Sequence, residues 1–153
     1  MPPPGHRIAF GCRWPIAGLI STRRHACEDS MENERYKRGI EALRRVNEEG
    51  ITNLIRSMDA VAPDLARYVI EFAYGDIYTR PGLPTKQREL CIVAALTALG
   101  NQENQLRDHI QAALNIGCTR QELVETILMM AVYAGFPVAI KGMQIAREIL
   151  PRE

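Results

Sequence analysis

Several features that mark common protein classes are missing from this chain of 153 residues. No stretch approaches the ~18 to 20 apolar residues of a membrane-spanning helix, so we expect a soluble protein. The four cysteines form no CxxC pair, which favours a reduced, cytoplasmic protein over a disulfide-rich secreted one. Lys and Arg number 19 against 18 Asp and Glu, so the basic excess typical of nucleic-acid binding is also absent.

The first thirty residues differ in composition from the rest. They hold three consecutive prolines, the only tryptophan and four arginines against two acids, whereas residues 31–153 hold 15 basic and 16 acidic side chains. Composition leaves open a disordered extension, a targeting segment, or an upstream extension of a protein that starts at Met31. We therefore predict an extension over 1–30, dispensable for folding, and one domain over 31–153.

From residue 31 onward, polar helix starts and glycine stops recur while strand signals are nearly absent, so the sequence predicts an all-α fold of about seven helices. The third helix carries Leu65, Val69, Phe72 and Ala73 on one side. The predicted helices are 34–50 ended by Gly50, 52–63 ended by Pro63, 65–78 capped by Asp64, 85–100, 103–115, 119–133 opened by a Thr119–Glu122 capping box, and a last one after Pro137.

The fourth and sixth helices contain "CIVAALTAL" and "LVETILMMAVY", which are apolar on nearly all sides. Such helices are normally buried. A single domain of this size surrounds two of them with difficulty, so a second copy of the chain should cover part of their surface. The sequence therefore predicts an obligate homo-oligomer.

The fifth helix carries the only histidine after residue 30. Leu106, Ile110 and Ala113 form its apolar stripe, and His109 lies on the flank, about 60° from Leu106. Glu89 ends an apolar face of the preceding helix, and the short "GNQE" loop makes the two helices antiparallel neighbours. Both side chains can therefore point into one pocket.

Two interpretations of Glu89 and His109 remain open on spacing alone. Burial favours a protonated carboxyl and a nearby carboxylate favours a protonated imidazole, so the pair could relay a proton near neutral pH. Alternatively, His109 is a half-buried packing residue and Glu89 is an arginine partner near a helix start. The structural interpretation is the commoner one for a lone histidine.

A family resemblance covers residues 34–150. The segments "VAPDLARYVIEFAYGDIYTRPGL", "RELCIVAALTALG" and "QLRDHIQAALNIGCTRQELVETILMMAVYAGFPVAI" resemble the carboxymuconolactone decarboxylase family. The resemblance implies an all-helical fold, ring-shaped homo-oligomers that are commonly trimers or hexamers, and no metal or organic cofactor.

The resemblance also assigns site residues. The family's redox branch has a CxxC ahead of a histidine and a glutamate on the preceding helix; here these positions fall on Gln102, Gln105, His109 and Glu89. Because glutamine forms neither a thiolate nor a disulfide, that branch's peroxidase chemistry is excluded at this site.

The function implied is cofactor-independent decarboxylation of 4-carboxymuconolactone, or a similar lactone acid, to 3-oxoadipate enol-lactone in aromatic catabolism. Loss of CO2 from a carbon conjugated to an unsaturated lactone leaves an extended enolate, so no electron-sink cofactor is needed. His109 and Glu89 would be catalytic, and Gln105 and Gln102 would contact the lactone or dicarboxylic acid substrate. Arg80 or Arg88 could bind a substrate carboxylate in fork geometry, although a solvated surface role stays open for each arginine.

Two alternatives remain: an accessory oligomer of the same fold that binds a small acid, and, less favoured by spacing, a thiol peroxidase using Cys91 or Cys118. Lys141 and Gly142 stand where the decarboxylases tend to carry an asparagine and a small residue. The exact substrate therefore stays open.

Overall fold

The computed structural model describes the backbone of residues 22–150 and the side chains of residues 34–150. Within that range the regular elements are all helical, as predicted. They are α1 (Thr22–Met58), α2 (Pro63–Tyr68), a π-helix (Val69–Tyr78), α3 (Thr85–Leu99), α4 (Glu103–Asn115), α5 (Arg120–Tyr133) and α6 (Phe136–Ile149).

Helix α1 begins upstream of the boundary predicted at residue 31, and residues 1–21 of the predicted extension lie outside the described residues. Among the helices of the described part, none is long and apolar enough to cross a membrane.

The first two predicted helices form one element that is broken at Asn47, where φ is −158° and ψ is 88°. The side-chain Oδ1 of Asn47 accepts a hydrogen bond from the backbone N–H of Gly50 at 3.0 Å, which is the arrangement of a helix N-cap. The predicted stop at Gly50 is therefore wrong, because Asn47 already starts the second half of α1. Pro63, predicted to end a helix, instead opens α2, since proline suits a first helical turn.

Helix α1 and the π-helix pack with their backbones in close contact. A Cβ on Gly39 would overlap the carbonyl group of Ile70, and one on Gly75 would lie 2.5 Å from the carbonyl oxygen of Arg35. The buried face of α2 and the π-helix carries Ala66 and Ile70. The side predicted to be apolar is not the core side, since Leu65 and Phe72 are exposed and Ala73 with them.

Helices α3 to α6 enclose the main hydrophobic core. The predicted stripe of α4 is confirmed, since Leu106, Ile110 and Ala113 are all buried. The predicted capping box of α5 is also present: Glu122 N–H donates to Thr119 Oγ1 at 3.1 Å, and Thr119 N–H donates to a Glu122 carboxylate oxygen at 2.7 Å. The other buried core residues are Val93, Cys118, Leu123, Ile127, Ile145, Ala146 and Leu150.

Helices α3 and α5 are not covered on all sides within one chain. Large apolar side chains are exposed where α5 ends and α6 begins, and Val132 is 75% exposed. We call this the α5–α6 apolar surface; its residues are Leu128, Met129, Val132, Tyr133, Phe136 and Ile140. Of the two helices for which the sequence predicted cover by a second copy, α5 thus leaves large apolar side chains exposed, whereas on α3 Leu99 alone is a large exposed apolar residue.

Candidate active site

The carboxylate of Glu89 lies at the centre of the candidate site. It is on the same face of α3 as Val93 and Thr97, and its exposure is 0%. Tyr78 Oη donates a hydrogen bond to Glu89 Oε1 at 2.6 Å, and His109 Nδ1 lies 2.9 Å from Glu89 Oε2. The structure thus brings together the two side chains that the sequence singled out, with one partner on each carboxylate oxygen.

His109 comes from α4, next to the buried Ile110, and its side chain is 22% exposed. An ionised carboxylate only accepts hydrogen bonds, so opposite an ionised Glu89 the Nδ1 of His109 carries a hydrogen. The pairing leaves Nε2 of the imidazole as the nitrogen that can exchange a proton with a bound molecule. This is the geometry of an oriented general acid or base.

Tyr78 was not identified from the sequence. It is the last residue of the π-helix, and the ring of Tyr74 lies against it with the centroids 5.2 Å apart. Burial, and then the hydrogen bond to Glu89, raise the pKa of Tyr78 well above its ordinary value, so its hydroxyl stays protonated as a donor. No local signal in the sequence predicts a π-helix.

Arg88 closes the turn between the π-helix and α3. Its Nε donates to the carbonyl of Leu83 at 3.0 Å, and its Nη2 donates to the carbonyl of Arg80 at 2.6 Å. The fork predicted to bind a substrate carboxylate is therefore partly engaged by the backbone, which leaves Nη1. The Arg80 side chain lines a surface cavity of about 340 Å³ together with Tyr78 and Thr79.

The two glutamines lie further from the pair. Gln102 is the N-cap residue of α4, and its Nε2 donates to Asn101 Oδ1 at 3.1 Å. It stands two helical turns, or roughly 10 Å, before His109. Gln105 is exposed one turn before His109. The structure does not bring either side chain to Glu89, so their contact with a substrate stays a prediction.

The described residues offer little support for thiol or metal chemistry. Cys91 on α3 and Cys118 in the loop between α4 and α5 are both free, and burial raises the pKa of the Cys118 thiol, which disfavours a reactive thiolate. In the described part of the chain, no group of three His, Cys, Asp or Glu side chains could hold a metal ion.

The fold and the site thus define the class of this protein, which is all-helical with a buried carboxylate–imidazole pair on neighbouring helices. Residues 63–148, which contain Tyr78, Glu89 and His109, match the carboxymuconolactone decarboxylase family. The chain belongs to that family.

Three relatives are similar over most of their length. The chain is 36% identical over 119 residues to 4-carboxymuconolactone decarboxylase of Acinetobacter baylyi, covering 77% of this chain and 88% of the relative. It is 33% identical to an uncharacterized 15.0 kDa protein of Paracoccus denitrificans, covering 65% and 75%, and 28% identical to nitrosuccinic acid decarboxylase of Metarhizium robertsii, covering 82% and 87%. The two named relatives support a decarboxylase, that is a carboxy-lyase, activity.

Proposed function

We propose that this protein decarboxylates 4-carboxymuconolactone, or a similar lactone acid, to 3-oxoadipate enol-lactone in aromatic catabolism in the cytoplasm, without a cofactor. The observation that carries the proposal is the contact of 2.9 Å between His109 Nδ1 and the buried Glu89 carboxylate. The substrate is suggested by the similarity to the Acinetobacter baylyi enzyme, and a sequence without any CxxC pair suits the cytoplasm.

In the proposed reaction the carbon–carbon bond to the carboxylate breaks, CO2 leaves, and the electron pair passes into the conjugated lactone carbonyl. The resulting enolate then takes a proton on carbon from Nε2 of protonated His109. Glu89 stabilises the imidazolium before transfer and fixes its orientation. Water returns the proton to the imidazole after the product has left.

The substrate carries negative charge that needs a cationic partner. Arg80 lines the cavity next to Tyr78, and Nη1 of Arg88 is not used by the turn carbonyls. We assign carboxylate binding to these two guanidinium groups, and a contact with the rest of the lactone acid to Gln105 and Gln102. The position of Gln105 one turn before His109 makes it the nearer of the two.

We also propose that the protein works as a ring-shaped homo-oligomer, a trimer or a hexamer. The α5–α6 apolar surface supports this, because six large apolar side chains that are each more than half exposed lie between residues 128 and 140. Patches of this kind on a single chain usually mark an interface. A second copy of the same chain would cover it.

The direct experiment incubates the full chain with 4-carboxymuconolactone and measures CO2 release, with nitrosuccinic acid as the comparison substrate. We expect the parent protein to release CO2 from the lactone. In His109→Gln the rate of release should fall by ~10² to 10⁴, the usual cost of losing a general acid or base. A folded parent protein whose melting temperature rises with the lactone, but which releases no CO2 from it, would instead support the accessory binding function.

A further inference from the structure

We propose that Tyr78 is a positioning residue of this site, which holds the Glu89 carboxylate in the rotation that directs Oε2 at His109. The proposal rests on the proposed function for its link to turnover. Its core is geometric: two donors from different elements each engage one oxygen of a single buried carboxylate, Tyr78 at 2.6 Å and His109 at 2.9 Å.

The carboxylate itself has a broad rotational preference. The terminal torsion of glutamate is a wide, roughly two-fold well, so packing alone does not fix the rotation of the carboxylate plane. Glu89 is fully buried, and a buried charge requires hydrogen-bond donors. Because Tyr78 satisfies Oε1, the second oxygen is left for His109, and the imidazole is held with Nε2 directed away from the pair.

Residues before and after Tyr78 in the sequence fix the position of its side chain. The ring of Tyr74 packs against its ring. Directly after it, Thr79 Oγ1 donates to the carbonyl of Gly75 at 2.7 Å, and Arg88 holds the turn that follows. The hydroxyl of Tyr78 therefore has a defined location from which to orient Glu89.

The test removes that hydroxyl alone. In Tyr78→Phe we expect kcat to fall about 10- to 100-fold, the factor that corresponds to one hydrogen bond to a charged group, with KM nearly unchanged. The acidic limb of the pH profile of kcat should move to higher pH, because the ionised carboxylate has lost a donor. Replacing Tyr78 by 3-fluorotyrosine, a stronger donor of nearly the same shape, should move that limb to lower pH.

Tyr74→Phe is the matched control. Tyr74 contacts the ring of Tyr78, but in the described part of the chain its hydroxyl is not a hydrogen-bond partner of Glu89. Loss of this hydroxyl should leave both kcat and the acidic limb unchanged. An equal effect of the two substitutions would show that Tyr78 acts through packing, and would overturn the proposal.

A second readout needs no turnover. The chain has three histidines, and the nitrogen-15 signals of the His109 ring can be assigned by their loss in His109→Gln. Tyr78→Phe should shift those signals, whereas Tyr74→Phe should not. If the parent protein releases no CO2, the proposed function fails while this measurement still tests Tyr78; unchanged His109 signals in a folded Tyr78→Phe protein would refute the proposal.

Discussion

Substitution of Glu89 separates chemistry from stability, because the two obvious replacements treat its neighbours differently. In Glu89→Gln the side-chain oxygen can still accept a hydrogen bond from Tyr78 Oη, which in the parent protein donates to Glu89 Oε1 at 2.6 Å. The amide nitrogen then faces His109 Nδ1, so the imidazole must accept there and carry its hydrogen on Nε2. The site keeps both hydrogen bonds but loses its negative charge.

The expected magnitudes follow from those contacts. Glu89→Gln should cost about 1–2 kcal/mol of stability, since neutral hydrogen bonds replace charged ones and only the second amide hydrogen is left without a partner. Glu89→Ala removes both acceptors from a site with 0% exposure and should cost about 3–5 kcal/mol, as breaking a buried pair does. Turnover should fall by ~10² to 10⁴ in Glu89→Gln, because no carboxylate remains to stabilise the imidazolium.

Thermal or urea denaturation measures the difference in stability between the variants, and CO2 release from 4-carboxymuconolactone measures the fall in turnover. If Glu89 and His109 act as one unit, Glu89→Gln combined with His109→Gln should be hardly slower than either single variant. Near-parental turnover in Glu89→Gln would refute the catalytic assignment. Equal stability of Glu89→Gln and Glu89→Ala would show that the hydrogen bonds at this carboxylate contribute little.

Three further predictions concern the scaffold. Gly39→Ala should lower the free energy of unfolding, measured with urea, by about 1–3 kcal/mol because the added methyl group meets the π-helix backbone. Gly82→Ala is the control: there is open space at that position, so the free energy of unfolding should change by less than about 0.5 kcal/mol. The pKa of Glu122 is lowered from 4.5 to about 2, first by the Lys86 hydrogen bond, so its contribution to stability is present above pH 4.5 and lost on acidification towards pH 2; melting curves of Glu122→Gln should lack this part of the acid sensitivity. If the proposed homo-oligomer forms, Val132→Glu should dissociate it by charging the α5–α6 apolar surface, and light scattering that finds the parent protein already monomeric would contradict the oligomer.

The sequence by itself determined the helical class, the capping box of α5 and the buried stripe of α4. Each depends on residues three or four positions apart, and such neighbours are fixed by the helix itself. The proximity of Glu89 and His109 could be predicted from the sequence for the same reason. Both stand on regular α-helices joined by a short loop, so periodicity and antiparallel packing predict where their side chains point.

Only the tertiary structure decided which further groups complete the site and which face of a helix is buried. Tyr78 reaches Glu89 from the end of a π-helix, Arg88 is drawn to the carbonyls of the turn before α3, and Asn47 rather than Gly50 interrupts α1. Leu65 and Phe72 lie outward while Ile70 is buried, at a place where Gly39 and Gly75 let the backbones of α1 and the π-helix come together. Hydrogen-bond partners and close backbone contacts between separate elements depend on their packing in space, and no periodicity within one element encodes that packing.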